Sequence, residues 1–275
     1  MEGVIVVNQT AAFGKQVFKR ILNDDIFGLA AQLAYFFLLS LFPFLLFLLT
    51  LIGYFPIEEQ SVIHLIETYA PTQIGELINT NISLLVNQQN GGLLSLSIIG
   101  TIWAASNGVN ALVRAFNKAY EVDEDRSFIT ARLIAIVLMI AMVVIICIAF
   151  LLPIFGRMIG VYLFSLFGLT DNFITIWETL RWLISSVIFF IVFLALYKLA
   201  PNTKVYIKNV VWGALFATVF WQLVSLGFSF YVSTMGNYSA TYGSLGAVIV
   251  LMIWFYISGI IIMVGGTINA TLKKK

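Results

Sequence analysis

Five polar residues recur in alternating steps of three and four along one stretch of the chain: Asn107, Asn110, Arg114, Asn117 and Glu121. This spacing places all five on one face of an α-helix. Amides and a guanidinium suit the wall of a water-accessible cavity, and Arg114 would attract an anionic head group. We call these five residues the polar stripe.

The helix that must carry the stripe begins as an apolar run after Gly92 and contains no proline. A membrane helix with a polar face has to direct that face toward protein or water, because lipid tails satisfy no side-chain donors. Two interpretations follow. Either the stripe lines a cavity open to the cytoplasm, or its amides bond helices together while Arg114 snorkels to the interface.

The composition of the chain indicates that its solvent is a lipid bilayer. Hydrophobic residues make up 61% of the 275 residues and charged residues only 10%. Such a chain has too little polar surface to cover a water-soluble globule. Its single cysteine, Cys147, excludes an intrachain disulfide and a cluster of thiolates.

Hydropathy and turn signals predict an all-α, polytopic fold with one membrane domain over residues 1–275. Residues 11–22 form an amphipathic helix along the membrane surface, and 56–90 form an extracytoplasmic helical loop. The brief apolar run at 155–169 is interfacial or re-entrant. Six transmembrane helices are predicted at about 26–54, 91–110, 128–152, 174–199, 210–233 and 244–270.

The distribution of basic residues predicts the orientation. Six spans put both termini on one side, and all of the 15 Lys and Arg residues except Arg157 and Arg181 then fall on that side. The positive-inside rule places this side in the cytoplasm. We therefore expect both termini to be cytoplasmic.

Three segments of the sequence resemble the YihY/BrkB family of bacterial inner-membrane proteins, some of which carried the name ribonuclease BN. The resemblance implies six spans, cytoplasmic termini, and a role in envelope or lipid-related transport. Relatives carry a basic residue where this chain has Asn107 and an acidic one where it has Thr267, so any role of those charges is altered here. The matching segments are Ala30–Phe37 with Ser40–Pro43, Trp103–Gly108 with Ala115–Tyr120, and Tyr242–Gly246 with Gly265–Ala270.

Polar residues of other predicted spans could face the same cavity as the stripe. Intramembrane polar groups are costly, and together they favour a cavity over simple helix bonding. The additional candidates are Gln32, Tyr35 and Ser40 in the first span, Gln222 in the fifth and Asn269 in the sixth.

A second candidate pair, Glu178 and Arg181, lies near the outer end of the fourth span. Arg181 could contact lipid phosphates, pair with Glu178 at a spacing of three residues, or snorkel to the interface. The pairing or the snorkelling is favoured.

An enzymatic function is not expected. His64 is the sole histidine, and no nucleophile elbow, phosphate-binding loop or paired-histidine motif is present. The basic residues are explained by topology rather than by a nucleic-acid groove, which argues against a ribonuclease. No cofactor, metal or nucleic-acid partner is predicted.

The sequence therefore predicts a transporter-like protein that moves a lipidic or amphipathic molecule, including an anionic one. The alternative is a non-transporting scaffold for envelope or lipid biogenesis. Membrane lipids are the expected partners, together with an envelope-biogenesis protein or further copies of the chain.

Overall fold

The computed structural model describes residues 2–52, 54, 91–143, 171–234 and 244–273. All regular structure in these residues is helical, as predicted. The elements are α1 (Glu2–Asn23), α2 (Ile26–Ile52), α3 (Gly91–Tyr120), α4 (Phe128–Val143), α5 (Asp171–Leu199), a 3-10 turn (Ile207–Asn209), α6 (Val211–Thr234) and α7 (Ser244–Lys273).

Within the described residues, five helices are long and apolar enough to cross a membrane, namely α2, α3, α5, α6 and α7. Of the predicted third span, 128–152, the described part is the apolar helix α4. Residues 144–152 lie outside the described residues, as do the predicted loop at 56–90 and the segment at 155–169. The count of six spans and the single membrane domain stay predictions.

Two helices extend well beyond their predicted bounds, whereas the ends of α2, α5, α6 and α7 differ from prediction by no more than three residues. Helix α1 begins at Glu2 rather than at residue 11, since no proline in this stretch stops a helix. Helix α3 continues past residue 110, the predicted end of its span, to Tyr120, and it carries four of the five residues of the polar stripe on one helix, as their spacing predicted. Hydropathy ended this span too early because the polar residues lower the average while the backbone stays helical.

The described chain forms two compact units. The first unit comprises Met1–Leu29, Val109–Val224 and Ile260–Lys275, and the second comprises Ala30–Gly108 and Ser225–Gly259. Helices α2, α3, α6 and α7 each contribute to both.

Close helix contacts in the second unit depend on glycine. A Cβ at Gly108 of α3 would lie 2.7 Å from the Phe37 ring of α2, and one at Gly259 of α7 would lie 3.1 Å from Leu33. The rings of Phe37 and Phe255 meet edge to face at 5.5 Å. Small residues allow such close approach of backbones within a membrane, so α3 and α7 both pack directly on α2.

Glycine has the same role in the first unit. A Cβ at Gly265 of α7 would overlap the Tyr197 hydroxyl of α5, and one at Gly266 would overlap the Phe116 ring of α3. Gly213 of α6 lies against the Gly265 backbone. Helices α3, α5 and α6 therefore pack around the Gly265-Gly266 pair of α7.

Candidate functional site

The polar stripe begins in the second unit and continues into the first. Asn107 is half-buried in the second unit, and Asn110 is half-buried in the first. Arg114 is exposed, whereas Asn117 is only 5% exposed. The helical spacing of the stripe is therefore realised, and its members differ widely in burial.

Asn117 connects the end of α3 to two loops. Its Nδ2 donates to Oε2 of Glu124 at 2.7 Å, and its Oδ1 accepts the backbone N–H of Asn202 at 2.7 Å. Asn202 in turn donates through Nδ2 to the Asp123 carbonyl at 2.8 Å and to the Asp125 carboxylate. Both polar groups that Asn117 would offer to a guest are thus bonded within the protein.

Arg126 forms an ion pair within the same loop and also bonds to the residue that follows α5. Arg126 donates to both carboxylate oxygens of Glu124 at 2.6 Å, and its Nη2 also donates to the Ala200 carbonyl at 3.0 Å. The hydrogen bond from Arg126 is the largest cause that lowers the pKa of Glu124 below its usual value. We call Asn117, Glu124, Arg126 and Asn202 the loop clasp.

Arg20 of α1 binds the carboxyl end of α3. Its guanidinium donates to the Ala119 carbonyl at 3.0 Å and to the Glu121 carboxylate at 2.8 Å. Glu121 adopts φ 56°, and the N–H groups of Glu121 and Val122 bond back to Lys118 and Asn117, which is a Schellman ending. The last member of the stripe therefore leaves the helical face and pairs with Arg20.

Two further candidate amides bond helices within the first unit. Asn269 of α7 is fully buried, and its Oδ1 accepts the N–H of Gly213 in the first turn of α6 at 2.7 Å. Gln222 of α6 accepts from the Ser186 hydroxyl of α5 at 2.9 Å and donates to the Thr218 carbonyl at 3.0 Å. Both amides thereby join neighbouring helices, which is the bonding role that the sequence left as an alternative.

The candidates on α2 lie in the second unit. Gln32 is exposed, and the Tyr35 side chain is 58% exposed. Ser40 is buried, and its hydroxyl donates to the Phe37 carbonyl of the same helix at 2.7 Å. The first two keep accessible polar surface, whereas the hydroxyl of Ser40 is bonded inside its own helix.

The outer pair falls on α5, which contains both Glu178 and Arg181. Their side chains lie outside the described residues. Their pairing stays a prediction.

Several residues of this region were not predicted from the sequence. Asn202, Arg126, Arg20 and Tyr197 all make contacts between elements, and the Tyr197 hydroxyl donates to the Ile262 carbonyl of α7 at 2.8 Å. The one available signal was the turn Pro201-Asn202, since asparagine is common where a loop needs local hydrogen bonds. Among the described residues, no group of three or more His, Cys, Asp or Glu is placed to hold a metal ion.

A helical chain with five apolar helices of membrane-spanning length in its described part is an integral membrane protein. Comparison with known proteins names its family. The family described as "Virulence factor BrkB" matches residues 17–275, and the chain belongs to this family.

Two relatives illustrate the range of similarity. The "Putative ribonuclease-like protein YfkH" of Bacillus subtilis (strain 168) is 52% identical over 264 residues, covering 96% of each chain. A "UPF0761 membrane protein" of Vibrio campbellii (strain ATCC BAA-1116) is 28% identical over 279 residues, covering 98% of this chain and 85% of the relative. No solved structure matches.

Proposed function

We propose that this chain is a transporter-like protein of the bacterial inner membrane that moves an amphipathic molecule with an anionic head group. The stripe residues Asn110 and Arg114 of the first unit would line its path. Asn117 and Glu121 are not assigned to that path, because Asn117 is only 5% exposed and Glu121 lies beyond the last residue of α3.

The observation that carries this proposal is the position of Arg114 on α3. It lies six residues before the end of a helix of membrane-spanning length and is exposed, with the half-buried Asn110 one turn earlier. At 1.5 Å per residue, Arg114 lies about 9 Å inside the helix end. A guanidinium at this depth can meet a head group that enters the membrane interface.

The charge at this end of the first unit supports an anionic guest. Lys118 is exposed one turn beyond Arg114, and Lys273 is exposed at the end of α7. Basic side chains near the membrane surface attract anionic lipids by about 1 kcal/mol each. The same excess of basic residues supports six spans with both termini in the cytoplasm.

Helix α1 fits the interface in this orientation. Its Phe18 and Leu22 side chains are more than half exposed, and Lys15 and Lys19 are exposed on the same helix. We propose that these apolar side chains enter the head-group layer while the lysines meet lipid phosphates.

A transport assay tests this function. Purified protein is placed in liposomes, and the movement of fluorescent phosphatidylglycerol and phosphatidylcholine between leaflets is followed by chemical quenching of the outer leaflet. We expect movement of phosphatidylglycerol, and a loss of at least about tenfold for Arg114→Ala and Asn110→Leu, since each removes a polar contact to the head group.

Lys204→Ala is the control, because Lys204 is an exposed cation of the first unit that lies outside α3. It should retain most of the movement. Equal movement with folded Arg114→Ala and wild type would refute the proposal.

A scaffold for envelope or lipid biogenesis is the second candidate. Asn117, Gln222 and Asn269 are engaged in bonds between elements, which favours a rigid helix assembly. A scaffold would move no lipid in liposomes and would be recovered from cells by crosslinking with a stoichiometric partner. The ribonuclease name belongs to a relative, and we do not propose this activity here.

A further inference from the structure

The carboxyl ends of α3 and α7 meet closely in the first unit. Gly266 of α7 lies against the Phe116 ring of α3, and Phe116 in turn packs on Tyr197 of α5 with ring centroids 5.3 Å apart. One turn further along α3, the Tyr120 ring lies 5.3 Å from Nζ of Lys273. Asn269 lies one turn before Lys273 on α7 and bonds to Gly213 of α6, and we call Tyr120, Asn269 and Lys273 the junction.

Two hydrogen-bonding groups in this junction are buried without a partner among the described residues. They are the Tyr120 hydroxyl and Nδ2 of Asn269, in residues that are 8% and 0% exposed. Buried polar groups in folded proteins are nearly always hydrogen-bonded, and each exception calls for an explanation. The hydrogen bond between α6 and α7 does not explain the Asn269 nitrogen, because only the oxygen of this amide bonds to Gly213.

The hydrogen-bonding groups and charges of the junction indicate what kind of ligand would bind there. An amide nitrogen only donates, and a tyrosine hydroxyl also can, so the missing group is an acceptor. The Lys273 ammonium and the amino end of α6, which has no acidic residue in its first turn, both favour negative charge. The nearest carboxylate along the chain, Glu121, is bound by Arg20.

We propose that Tyr120, Asn269 and Lys273 form a binding site for an anionic oxygen, as carried by a phosphate. The phosphate of a lipid head group and a soluble phosphate share this chemistry. The inference deepens the proposed function, because it names a second contact for an anionic head group at the cytoplasmic end of the helices. Binding does not require transport and is measured separately.

The test is a binding titration of the full chain in neutral detergent. Phosphatidylglycerol, phosphatidylcholine or inorganic phosphate is added, and the rise in unfolding temperature with concentration gives each dissociation constant. We expect phosphatidylglycerol to bind wild type, and about tenfold weaker binding by Tyr120→Phe and by Lys273→Gln. Tyr120→Phe keeps the ring beneath Lys273 and removes one hydroxyl, and Lys273 is exposed, so both variants should fold.

Tyr206→Phe is the matched control, because Tyr206 lies in the same unit with its side chain 69% exposed. It should bind like wild type. If inorganic phosphate alone reproduces the effect and its loss in Tyr120→Phe, the site stands with a soluble phosphate as its ligand. If Tyr120→Phe and Lys273→Gln bind phosphatidylglycerol as wild type does, the site is refuted.

A buried water at the Tyr120 hydroxyl would also overturn the proposal. In that case Tyr120→Phe would lower the unfolding temperature equally with and without anions. Failure of transport is a separate result: wild type that moves no lipid but binds phosphatidylglycerol through Tyr120 keeps this site and loses the transport function.

Discussion

The two halves of α3 are held in place by different kinds of contact. Up to Gly108 the helix packs in the second unit by shape, with Gly100 against Pro43 and Gly108 against Phe37. Beyond that point, in the first unit, amides and guanidinium groups of other elements hold the helix through the loop clasp and Arg20. In the first unit, the polar bonds between elements thus lie at the carboxyl end of α3, where basic residues also lie.

This difference distinguishes polar groups that bond within their own helix from polar groups that join separate elements. Hydroxyls of the second unit, such as those of Ser40 and Ser106, bond to carbonyls of their own helices. In the first unit Asn117 bonds to residues far away in sequence. The proposed path therefore uses Asn110 and Arg114, which lie on the same face of α3 within the first unit.

The largest effect is expected where glycine packing is tightest. Gly265→Ala introduces a Cβ that overlaps the Tyr197 hydroxyl and approaches the Gly213 carbonyl. Overpacking of this kind lowers the free energy of unfolding by about 1–3 kcal/mol, although alanine is the better helix former. Thermal unfolding of the purified protein, followed by size-exclusion chromatography, measures it.

Gly227→Ala is the control for this prediction, because nothing lies within 4 Å of a Cβ at Gly227 of α6. It should leave stability unchanged or raise it. If both variants behave alike, the close packing of the first unit around Gly265 is wrong.

The next prediction compares the loss of a hydrogen bond between elements with the loss of a hydrogen bond inside one helix. Asn117→Leu leaves the Asn202 N–H without its acceptor and removes a donor from Glu124. We expect a loss of about 1–3 kcal/mol in the free energy of unfolding. Ser40→Ala removes a bond within a single helix and should lose about 1 kcal/mol or less.

Equal losses in Asn117→Leu and Ser40→Ala would contradict this distinction. The same unfolding assay measures both variants. A larger loss for Ser40→Ala would place the polar support in the second unit instead.

The smallest effect is a dependence of stability on pH. Because the bond from Arg126 lowers the pKa of Glu124 in the folded protein, the ionised carboxylate stabilises the fold. This contribution is complete above the unfolded pKa of about 4.3 and is lost as the pH falls through the lower folded value. Unfolding temperatures measured from pH 7 down to pH 3 should fall less steeply at the acid end for Glu124→Gln than for wild type.

Arg126→Gln should also flatten the acid end of this profile, because it removes the main cause of the lowered pKa. An unchanged profile in both variants would show that the Glu124–Arg126 pair does not contribute to stability. The Glu124 side chain is 33% exposed and is screened by water, so the expected difference is small.

Local patterns in the sequence predicted the helices. Contacts between residues far apart in the sequence could not be predicted. The three-and-four spacing of the stripe predicted a helical face, and α3 carries four of its five residues. The bond between Asn117 and Asn202 joins residues 85 positions apart, and no periodicity reports such a pairing. The sequence therefore showed which polar residues lie within the predicted spans. It did not show which of them form hydrogen bonds within the folded protein.

The proposed function requires that the face of α3 at Asn110 is open to a guest. A single cysteine at this position, Asn110→Cys, in a Cys147→Ser background tests this when it is treated with a charged, membrane-impermeant thiol reagent in inside-out vesicles. We expect labelling from the cytoplasmic side that slows when the vesicles are enriched in phosphatidylglycerol. A thiol at position 110 that does not react, in a protein whose Lys118→Cys variant is labelled normally, would contradict it.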